Sequence, residues 1–196
     1  MNEPRLVKGA ARDYSVIPLM RYLVLSCSLN PKSRSRILAR MVHQHLSTRA
    51  GGAEFVDLQD YDLPLSNGGA CYGHAHVLEL GPKVEEAKGI IVATAIYNYN
   101  VNAATKNLLE LTGRAWEGKV IGFICAAGGH GSYMSIMPFA NSLMLDYRCH
   151  IIPRFVYAAP SHIDEETFGD EAVNRRIEEL AAETQRLTDA LFPLAD

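Results

Sequence analysis

The sequence predicts a doubly wound α/β fold, in which helices cover both faces of a five-stranded parallel sheet. Short apolar runs alternate with segments whose apolar residues recur at helical spacing. The runs have few polar interruptions, as expected of strands that are covered on both faces. The alternation is typical of right-handed β-α-β crossovers. At 196 residues and 48% hydrophobic content, the chain is long enough for one domain with its own core.

The predicted strands and helices follow one another in regular order along the chain. Strands are expected at 23–25, 53–57, 88–95, 120–126 and 149–156. Helices are expected at 35–49, 78–87, 102–116, 133–147 and 173–191. Each helical segment carries an apolar stripe that can pack on the sheet. Gly51 and Gly52 are expected to end the first helix, because glycine suits the backbone conformation that follows a helix C-terminus.

The regular pattern starts only after residue 18, so we divide the chain into an N-terminal arm, 1–18, and a single domain, 19–196. Pro4, Gly9 and Pro18 interrupt any periodicity in the arm. The arm is either laid over the domain or a partner subunit, or it is a poorly ordered tail, as termini are unless tied down.

Composition and charge exclude several classes of protein. The net charge of -3 and the pI near 6.2 provide no broad basic field, so nucleic acid is not an expected partner, although Lys32, Arg34 and Arg36 form a local basic cluster. No apolar run approaches the ~20 residues that span a bilayer. The four cysteines lie far apart without a C-x-x-C pair, which argues against a zinc knuckle or a disulfide scaffold. We therefore expect a cytoplasmic protein with no membrane partner.

The chain is organised around residues 21–35, an apolar strand that ends abruptly in hydroxyls, a proline and basic residues. Short polar side chains are concentrated there: Ser26, Ser28, Asn30, Ser33 and Ser35. A phosphate needs many such donors beside the positive N-terminal end of a helix, and the helix predicted from residue 35 provides that end. The alternative is a polar loop whose serine caps the helix. The G-x-x-x-x-G-K-[ST] and G-x-G-x-x-G patterns are absent, so neither a nucleoside triphosphate nor a dinucleotide is indicated.

Two further loops follow predicted strands at the same edge of the sheet. The second loop contains Tyr97, Asn98, Tyr99 and Asn100. Aromatic faces stack on planar rings and amides hydrogen-bond to their edges, although this stretch is also compatible with a surface turn. The third loop, AAGGHGSY from residue 126, has glycines that allow a flat ligand to approach the backbone, and glycines are also common in plain turns. Ligands bind beyond the carboxyl ends of parallel strands, so the three loops together predict one site.

Several short motifs occur in combination between about residue 20 and residue 156. They are Ser26, Ser28, Ser33, Ser35 and Arg36, then Leu63-Pro64-Leu65, Ile91-Val92-Ala93-Thr94 leading to Tyr97-Asn98, Lys106-Asn107, Gly118-Lys119 and Ala127-Gly128-Gly129. This combination resembles the NADPH-dependent FMN reductases of the flavodoxin-like superfamily, a family of quinone, azo-dye, chromate and flavin reductases. The resemblance implies a flavodoxin-like sheet with the strand order 2-1-3-4-5.

The resemblance also implies a bound FMN and the residues around it. The first loop, which starts at Ser26, would hold the phosphate with Ser28, Asn30, Ser33 and Ser35. The isoalloxazine ring and ribityl chain would lie against Tyr97, Asn98, Tyr99 and Asn100. The ring edge would contact the backbone of Ala127, Gly128 and Gly129. His130 and Tyr133 are candidate substrate contacts, and a local hydrogen-bonding role is the alternative for the histidine.

The sequence departs from the family pattern at several positions. Cys27 stands where the family usually has a glycine, and Asn30 where it has an arginine. Ala95 replaces a proline before the second loop, and Asn102-Ala103 replaces a Pro-Gly pair after it. Because a charge-assisted hydrogen bond is roughly twice as strong as a neutral one, we expect neutral donors and the helix end to do most of the phosphate binding.

The function implied by the resemblance is FMN-dependent oxidation of NAD(P)H, with transfer of hydride through FMN to flavin, quinone or similar small acceptors. The cofactor carries the electrons, so no catalytic side chain is predicted. Two alternatives are a flavodoxin-like electron carrier and a flavin-free relative that acts as an interaction or sensing domain. The departures from the family pattern make the second alternative plausible.

The resemblance further implies a homodimer or homotetramer whose interface helps to cover the flavin. The candidates for that contact are Leu108, Leu109, Leu111 and Trp116, for which packing in the core is the alternative. No metal site is predicted. His74 and His76, with Cys71 nearby, are interpreted as part of an exposed loop rather than as a ligand set.

Overall fold

The computed structural model describes residues 21–50, 52–160 and 170–194, and its centre is a sheet of seven strands. The strands are β1 (Tyr22–Ser26), β2 (Glu54–Asp57), β3 (Gly89–Tyr97), β4 (Asn100–Val101), β5 (Val120–Ala126), β6 (His150–Ile151) and β7 (Val156–Ala158). The parallel strands run in the order β2-β1-β3-β5, and β6 and β7 both pair with the free edge of β5. This confirms the predicted order 2-1-3-4-5. The predicted arm, 1–18, lies outside the described residues.

Helices cover both faces of the sheet. They are α1 (Arg34–Ala50), α2 (Ala75–Glu86), α3 (Ala103–Thr112), α4 (Met137–Tyr147) and α5 (Glu171–Leu191). The apolar side chains of α2, α3 and α4 share one core with the sheet, whereas α1 and α5 pack on the opposite face. The doubly wound arrangement predicted from the continuous apolar strands is therefore confirmed.

The central strand β3 shows why these strands read as continuous apolar runs. Successive side chains of a strand point to opposite faces of the sheet. Ile90 and Val92 accordingly pack in the core with α2, α3 and α4, whereas Ile91 and Ala93 pack against α1 and α5. Because both faces are covered, every residue of the strand is buried except the last one, Tyr97.

The apolar residues of α3 and of the 3-10 turn that follows it, Gly113–Trp116, belong to the core of this chain. Leu108, Leu109 and Trp116 are each 1% exposed, and Leu111 is buried against Cys71 and Val77. The structure therefore supports the core-packing alternative for these residues, because their side chains are buried within this chain.

Two helices begin elsewhere than the sequence indicates. α2 starts earlier than predicted because His74 caps it: its Nδ1 accepts a hydrogen bond from the backbone N–H of His76 (3.4 Å). These histidines therefore begin a helix and are not part of an exposed loop. α4 starts later than predicted, after a 3-10 turn over His130–Ile136. Pro138 lies in the first turn of α4, where its missing N–H removes no intrahelical hydrogen bond.

The prediction of a continuous fifth strand is wrong, because this strand is divided into β6 and β7. Pro153 lies in the interruption, and proline has no N–H to donate to a neighbouring strand. Each half still pairs with β5, with Ile121 opposite Ile151 and Cys125 opposite Tyr157. The second half therefore extends past the predicted end and lies beside the carboxyl end of β5.

The cysteines are all buried as free thiols. Burial raises the pKa of the Cys27 thiol to about 12 and that of Cys149 to about 11, so both stay protonated near neutral pH. Within residues 21–50, 52–160 and 170–194, no helix is both long enough and apolar enough to cross a membrane.

The packing of β3 against α5 can be tested at Gly89. A Cβ at this position would lie 2.5 Å from Thr188 Oγ1 and 3.1 Å from Thr184 Cγ2 and from Tyr22 Cδ1. We expect Gly89→Ala to lower the free energy of unfolding by about 1–3 kcal/mol, because the β-branched neighbours have few other rotamers. The matched control is Gly81→Ala inside α2, where a Cβ meets nothing within 4 Å and should stabilise the protein by about 0.5–1 kcal/mol. Urea unfolding measures both, and a Gly89→Ala variant as stable as the wild type would contradict this packing.

Candidate functional site

A cavity of about 610 Å³ opens at the carboxyl edge of the sheet, where the segments after β1, β3 and β5 meet. The first segment contributes Ser28, Asn30, Lys32, Ser33, Arg34 and Ser35. The other two contribute Ala95, Ile96, Tyr97 and Asn98, and Ala126, Ala127 and Gly128. Between β1 and β3 the strand order reverses direction, which is the place where open parallel sheets bind ligands.

A second cavity, of about 390 Å³, adjoins the first. The two cavities share Ile96, Asn98 and Gly128. The rest of the smaller cavity is lined by Tyr99, Gly129, Gly131 and Ser132. Both volumes are typical of pockets that hold a small molecule.

Most of the site residues predicted from the sequence line one of these cavities. The larger cavity is bordered by Ser28, Asn30, Ser33, Ser35, Tyr97, Asn98, Ala127 and Gly128. The smaller cavity adds Tyr99 and Gly129. Four predicted residues line neither cavity: Ser26, Asn100, His130 and Tyr133.

Each of those four residues has another environment in the structure. Ser26 is fully buried at the end of β1. Asn100 Oδ1 accepts a hydrogen bond from the next backbone N–H of its own strand (2.8 Å). The ring of Tyr133 is stacked on that of Phe155, with the centroids 4.7 Å apart. His130 is exposed at the start of the 3-10 turn.

Several lining residues are not among the site residues that the sequence predicts: Lys32, Arg34, Ala95, Ile96, Ala126, Gly131 and Ser132. The available signal for the two cations was their alternation with Ser33 and Ser35 along the first segment. The expectation that neutral donors and the helix end do most of the anion binding stays a prediction, to which these two exposed cations add candidate donors. Two positive side chains border the cavity although no arginine occupies position 30.

The polar side chains of the first segment are partly committed to its own fold. Asn30 Oδ1 accepts from the backbone N–H of Lys32 (3.0 Å), which closes a tight turn. Ser33 Oγ accepts from the backbone N–H of Arg36 (3.3 Å) and lies 2.9 Å from Ser35 Oγ. Asn30 thus shapes the loop through its oxygen, and its NH2 group remains as a donor.

Arg36 holds this segment from the outside. Its Nη2 donates to Ser28 O (2.9 Å), and its Nη1 donates to Asn30 O (2.9 Å) and Pro31 O (3.2 Å). The other side of the guanidinium is paired with the buried carboxylate of Asp57 at the end of β2, through Nε and through Nη2 (3.2 Å). The planar fork of arginine makes all these bonds at once, which a lysine cannot do.

The remaining carbonyl of the loop is also occupied. Gln59 Nε2 donates to Leu29 O (2.8 Å), so the carbonyl oxygens of residues 28–31 all have side-chain partners. Because Arg36 and Gln59 bind these carbonyl oxygens, the groups of this segment that remain for a ligand in the cavity are hydroxyls, the N-terminus of α1 and two cations. This donor set suits a phosphate, and the buried thiol of Cys27 adds no negative charge beneath it.

The second segment is a β-hairpin and not the loop that the sequence indicated. β3 continues through Tyr97, which pairs with Asn100 of β4. Asn98 and Tyr99 form the turn between them, with φ values of 51° and 61°. Positive φ at both central positions is typical of the type I′ turn that closes tight hairpins. The pairing of β3 with β4 brings Asn98 to both cavities and Tyr99 to the smaller one.

A buried polar network supports the hairpin. Asn102 caps α3 by accepting from the backbone N–H of Thr105 (3.1 Å), and its Nδ2 donates to Thr94 Oγ1 (3.0 Å). The hydroxyls of Thr94 and Thr105 lie 2.8 Å apart. All three residues are buried, and a satisfied buried network favours a single geometry. The departure from the family pattern at Asn102 therefore preserves a defined start for α3.

The third segment is attached to β7. Ala127 N donates to Ala158 O (2.9 Å), which extends the pairing of β5 with β7 into the loop. The hydroxyl of Tyr157 donates to Gly129 O and also contacts Ser132 Oγ (2.7 Å). These contacts fix the glycine-containing backbone that forms one wall of both cavities.

The histidines considered as metal ligands have other partners. His76 Nδ1 accepts from the backbone N–H of Asp62 (2.8 Å), and His74 Nδ1 caps α2. In the part of the chain that the structure describes, no three His, Cys, Asp or Glu side chains are grouped so that they could hold a metal ion.

The strand order and the cavity at its switch point define the class of flavodoxin-like folds, in which ligands bind at this edge of the sheet. Comparison with known families narrows the class. The family described as NADPH-dependent FMN reductase matches residues 20–163. The chain therefore belongs to the NADPH-dependent FMN reductase family, and it is an NAD(P)H-dependent oxidoreductase with FMN as cofactor and NADPH as co-substrate.

Individual relatives agree with this assignment. An FMN reductase (NADPH) from Pseudomonas putida is 34% identical over 122 residues, which is 60% of each protein. An NADPH azoreductase from Bacillus sp. (strain OY1-2) is 23% identical over 155 residues, 78% of this chain and 84% of the relative. The structure of an NADH:FMN oxidoreductase in its apo form has the same fold, with a TM-score of 0.71, 17% identity, and coverage of 85% of this chain and 88% of that one.

The donors around the larger cavity fit FMN. One end offers hydroxyls, a helix N-terminus, Lys32 and Arg34, which suit a phosphate dianion. The other end offers the Tyr97 side chain and the backbone at Gly128, where a flat ring can approach because no Cβ intervenes.

The role of Arg36 can be tested with Arg36→Lys, which keeps the charge but loses most of the hydrogen bonds to the loop. We expect FMN affinity to fall by about 10–100-fold, because loop carbonyls freed from the guanidinium turn toward the phosphate. Arg40→Lys is the matched control one turn along α1, where the guanidinium lies over the Phe55 ring, and it should change the affinity less than about 2-fold. Quenching of FMN fluorescence measures both. Equal affinity of Arg36→Lys and the wild type would contradict this role.

Proposed function

We propose that this chain oxidises NAD(P)H and passes hydride through FMN, bound in the larger cavity, to a small planar acceptor such as a flavin or quinone. The observation that carries the proposal is the lining of that cavity, which combines the hydroxyls and cations of the first segment with the aromatic and glycine residues of the other two. FMN supplies the hydride-accepting and hydride-donating chemistry when bound. The protein has to position the cofactor and leave one face accessible.

The first segment would position FMN by its phosphate. Lys32 and Arg34 neutralise the charge, and Ser28, Ser33 and Ser35 offer hydroxyls. With the carbonyls of residues 28–31 held away by Arg36 and Gln59, no backbone acceptor of that stretch competes for the site. The binding residues are thus arranged before the ligand arrives, which reduces the entropy lost on binding.

The hairpin and the third segment would position the ring. Tyr97 and Asn98 border the larger cavity from one side, and Ala127 and Gly128 from the other. Among residues 21–50, 52–160 and 170–194, none of those that line either cavity is a histidine or a carboxylate. This agrees with a reaction in which the cofactor, and not a side chain, carries the chemistry.

The smaller cavity supports a turnover function. It adjoins the larger cavity and is lined by different residues, Tyr99, Gly129, Gly131 and Ser132, together with the shared ones. A ring bound in the larger cavity would therefore have space beside it for a second planar molecule. A protein that only stores electrons has no need of such a space.

The proposal is tested by titrating the purified protein with FMN and then following NADPH oxidation with a quinone as acceptor. We expect stoichiometric binding of FMN, and FMN-dependent turnover in the ordinary enzymatic range of about 1–1000 per second. Protein stripped of FMN is the control and should be inactive until FMN is restored.

Two outcomes would contradict the proposal. Protein that binds FMN but shows no turnover with quinone or free flavin would be an electron carrier. Protein that is purified without colour and takes up no FMN would be a flavin-free relative of the family.

A further inference from the structure

A pair of hydroxyl groups lies behind the smaller cavity. Tyr157 Oη donates to the carbonyl oxygen of Gly129, and Ser132 Oγ lies 2.7 Å from the same Oη. Tyr157 is 8% exposed, its strand pairs with Cys125 of β5, and its ring meets that of Tyr133 edge-on at 5.3 Å between centroids. The position of this tyrosine hydroxyl is therefore fixed by strand pairing and by ring packing.

The direction of both hydrogen bonds follows from a count of protons. A carbonyl oxygen can only accept, so the Tyr157 hydroxyl uses its single proton in the hydrogen bond that it donates to Gly129 O. The contact between the hydroxyls then requires that Ser132 donate its own proton to Tyr157 Oη. Ser132 lines the smaller cavity, and its oxygen has only lone pairs left for a ligand. A side chain that can usually donate or accept is thus restricted to accepting.

We propose that Ser132 makes the smaller cavity selective for a planar ligand that donates a hydrogen bond, such as the carboxamide N–H of nicotinamide. This inference rests on the proposed function, because it assigns the smaller cavity to the reductant. Asn98 lines the same cavity, and its NH2 group can donate to the carboxamide oxygen. The cavity therefore offers both partners that a carboxamide needs.

Because Ser132 Oγ can only accept a hydrogen bond from a ligand, it weakens the binding of ligands that have only acceptors. A quinone has carbonyl oxygens, which accept hydrogen bonds and do not donate them. A quinone oxygen beside Ser132 Oγ would place two acceptors in contact, which leaves both unpaired and costs affinity. Ser132 is therefore a specificity-determining residue that favours the reductant over the oxidised acceptor in this cavity.

The test measures the dissociation constants of NADP⁺ and of its 3-acetylpyridine analogue by isothermal titration calorimetry. The analogue has a methyl ketone in place of the amide, so it has no N–H to donate. We expect the wild type to bind NADP⁺ about 3–10-fold more tightly than the analogue, the range of one neutral hydrogen bond. In Ser132→Ala this difference should fall below about 2-fold, because the acceptor is gone.

A second variant tests the assignment of the proton. Tyr157→Phe keeps the ring and removes the hydroxyl that accepts the hydrogen bond from Ser132. Ser132 can then donate into the cavity, so the preference for NADP⁺ should narrow or reverse in favour of the ketone analogue. Thr48→Ala is the matched control, since it removes an exposed hydroxyl near the far end of α1, about 20 Å from the helix N-terminus, and should leave the preference unchanged.

The outcomes separate this inference from the proposed function. If Ser132→Ala keeps the wild-type preference, or if it weakens FMN binding and leaves the preference intact, the inference is wrong even when turnover is normal. If the preference behaves as expected but no turnover with an acceptor occurs, the inference stands and the proposed reaction is wrong.

Discussion

The site depends on the guanidinium of Arg36. It joins the carboxylate of Asp57, at the end of β2, to the carbonyl oxygens of the loop that follows β1. A loop rich in serine binds an anion only if its backbone acceptors point elsewhere, and Arg36, with Gln59 on Leu29 O, directs them away. The arrangement of this end of the cavity is therefore a consequence of one ion pair between the first turn of α1 and the end of β2.

The other end of the cavity depends on strand pairing. β4 folds back on β3 and presents Asn98 and Tyr99 in a tight turn, while β7 pairs with β5 and holds the glycine-containing loop through Tyr157. The segment before α2 is attached to α3 by side-chain hydrogen bonds. Asn107 Nδ2 donates to Pro64 O (2.9 Å), and Asn107 Oδ1 accepts from Ser66 N (2.9 Å). This explains why the Leu63-Pro64-Leu65 and Lys106-Asn107 motifs occur together. The three walls of the site are thus held by hydrogen bonds and strand pairing within the chain, which suits a protein that positions a cofactor.

The fold and the approximate location of the site could be predicted from the sequence because burial on both faces leaves continuous apolar runs, and each run ends in polar residues. The directions in which the side chains point could not be predicted from the sequence. The sequence indicates neither that Arg36 turns back onto its own loop nor that Ser26 is buried below it. The hairpin was missed because Asn98-Tyr99 is an unusual pair for two positive φ values, which more often involve glycine. The divided fifth strand and the role of Tyr157 depend on contacts between residues far apart in the chain.

A comparison of FMN with riboflavin shows whether the loop after β1 recognises a phosphate. The two ligands share the ring and the ribityl chain and differ only in the phosphate. Calorimetric titration of the apoprotein should show FMN binding at least about 100-fold more tightly than riboflavin, since two or more charge-assisted hydrogen bonds are at stake. Equal affinities would contradict recognition of the phosphate by this loop, because Lys32, Arg34 and the carbonyls that are held away from the cavity would then have no role in binding.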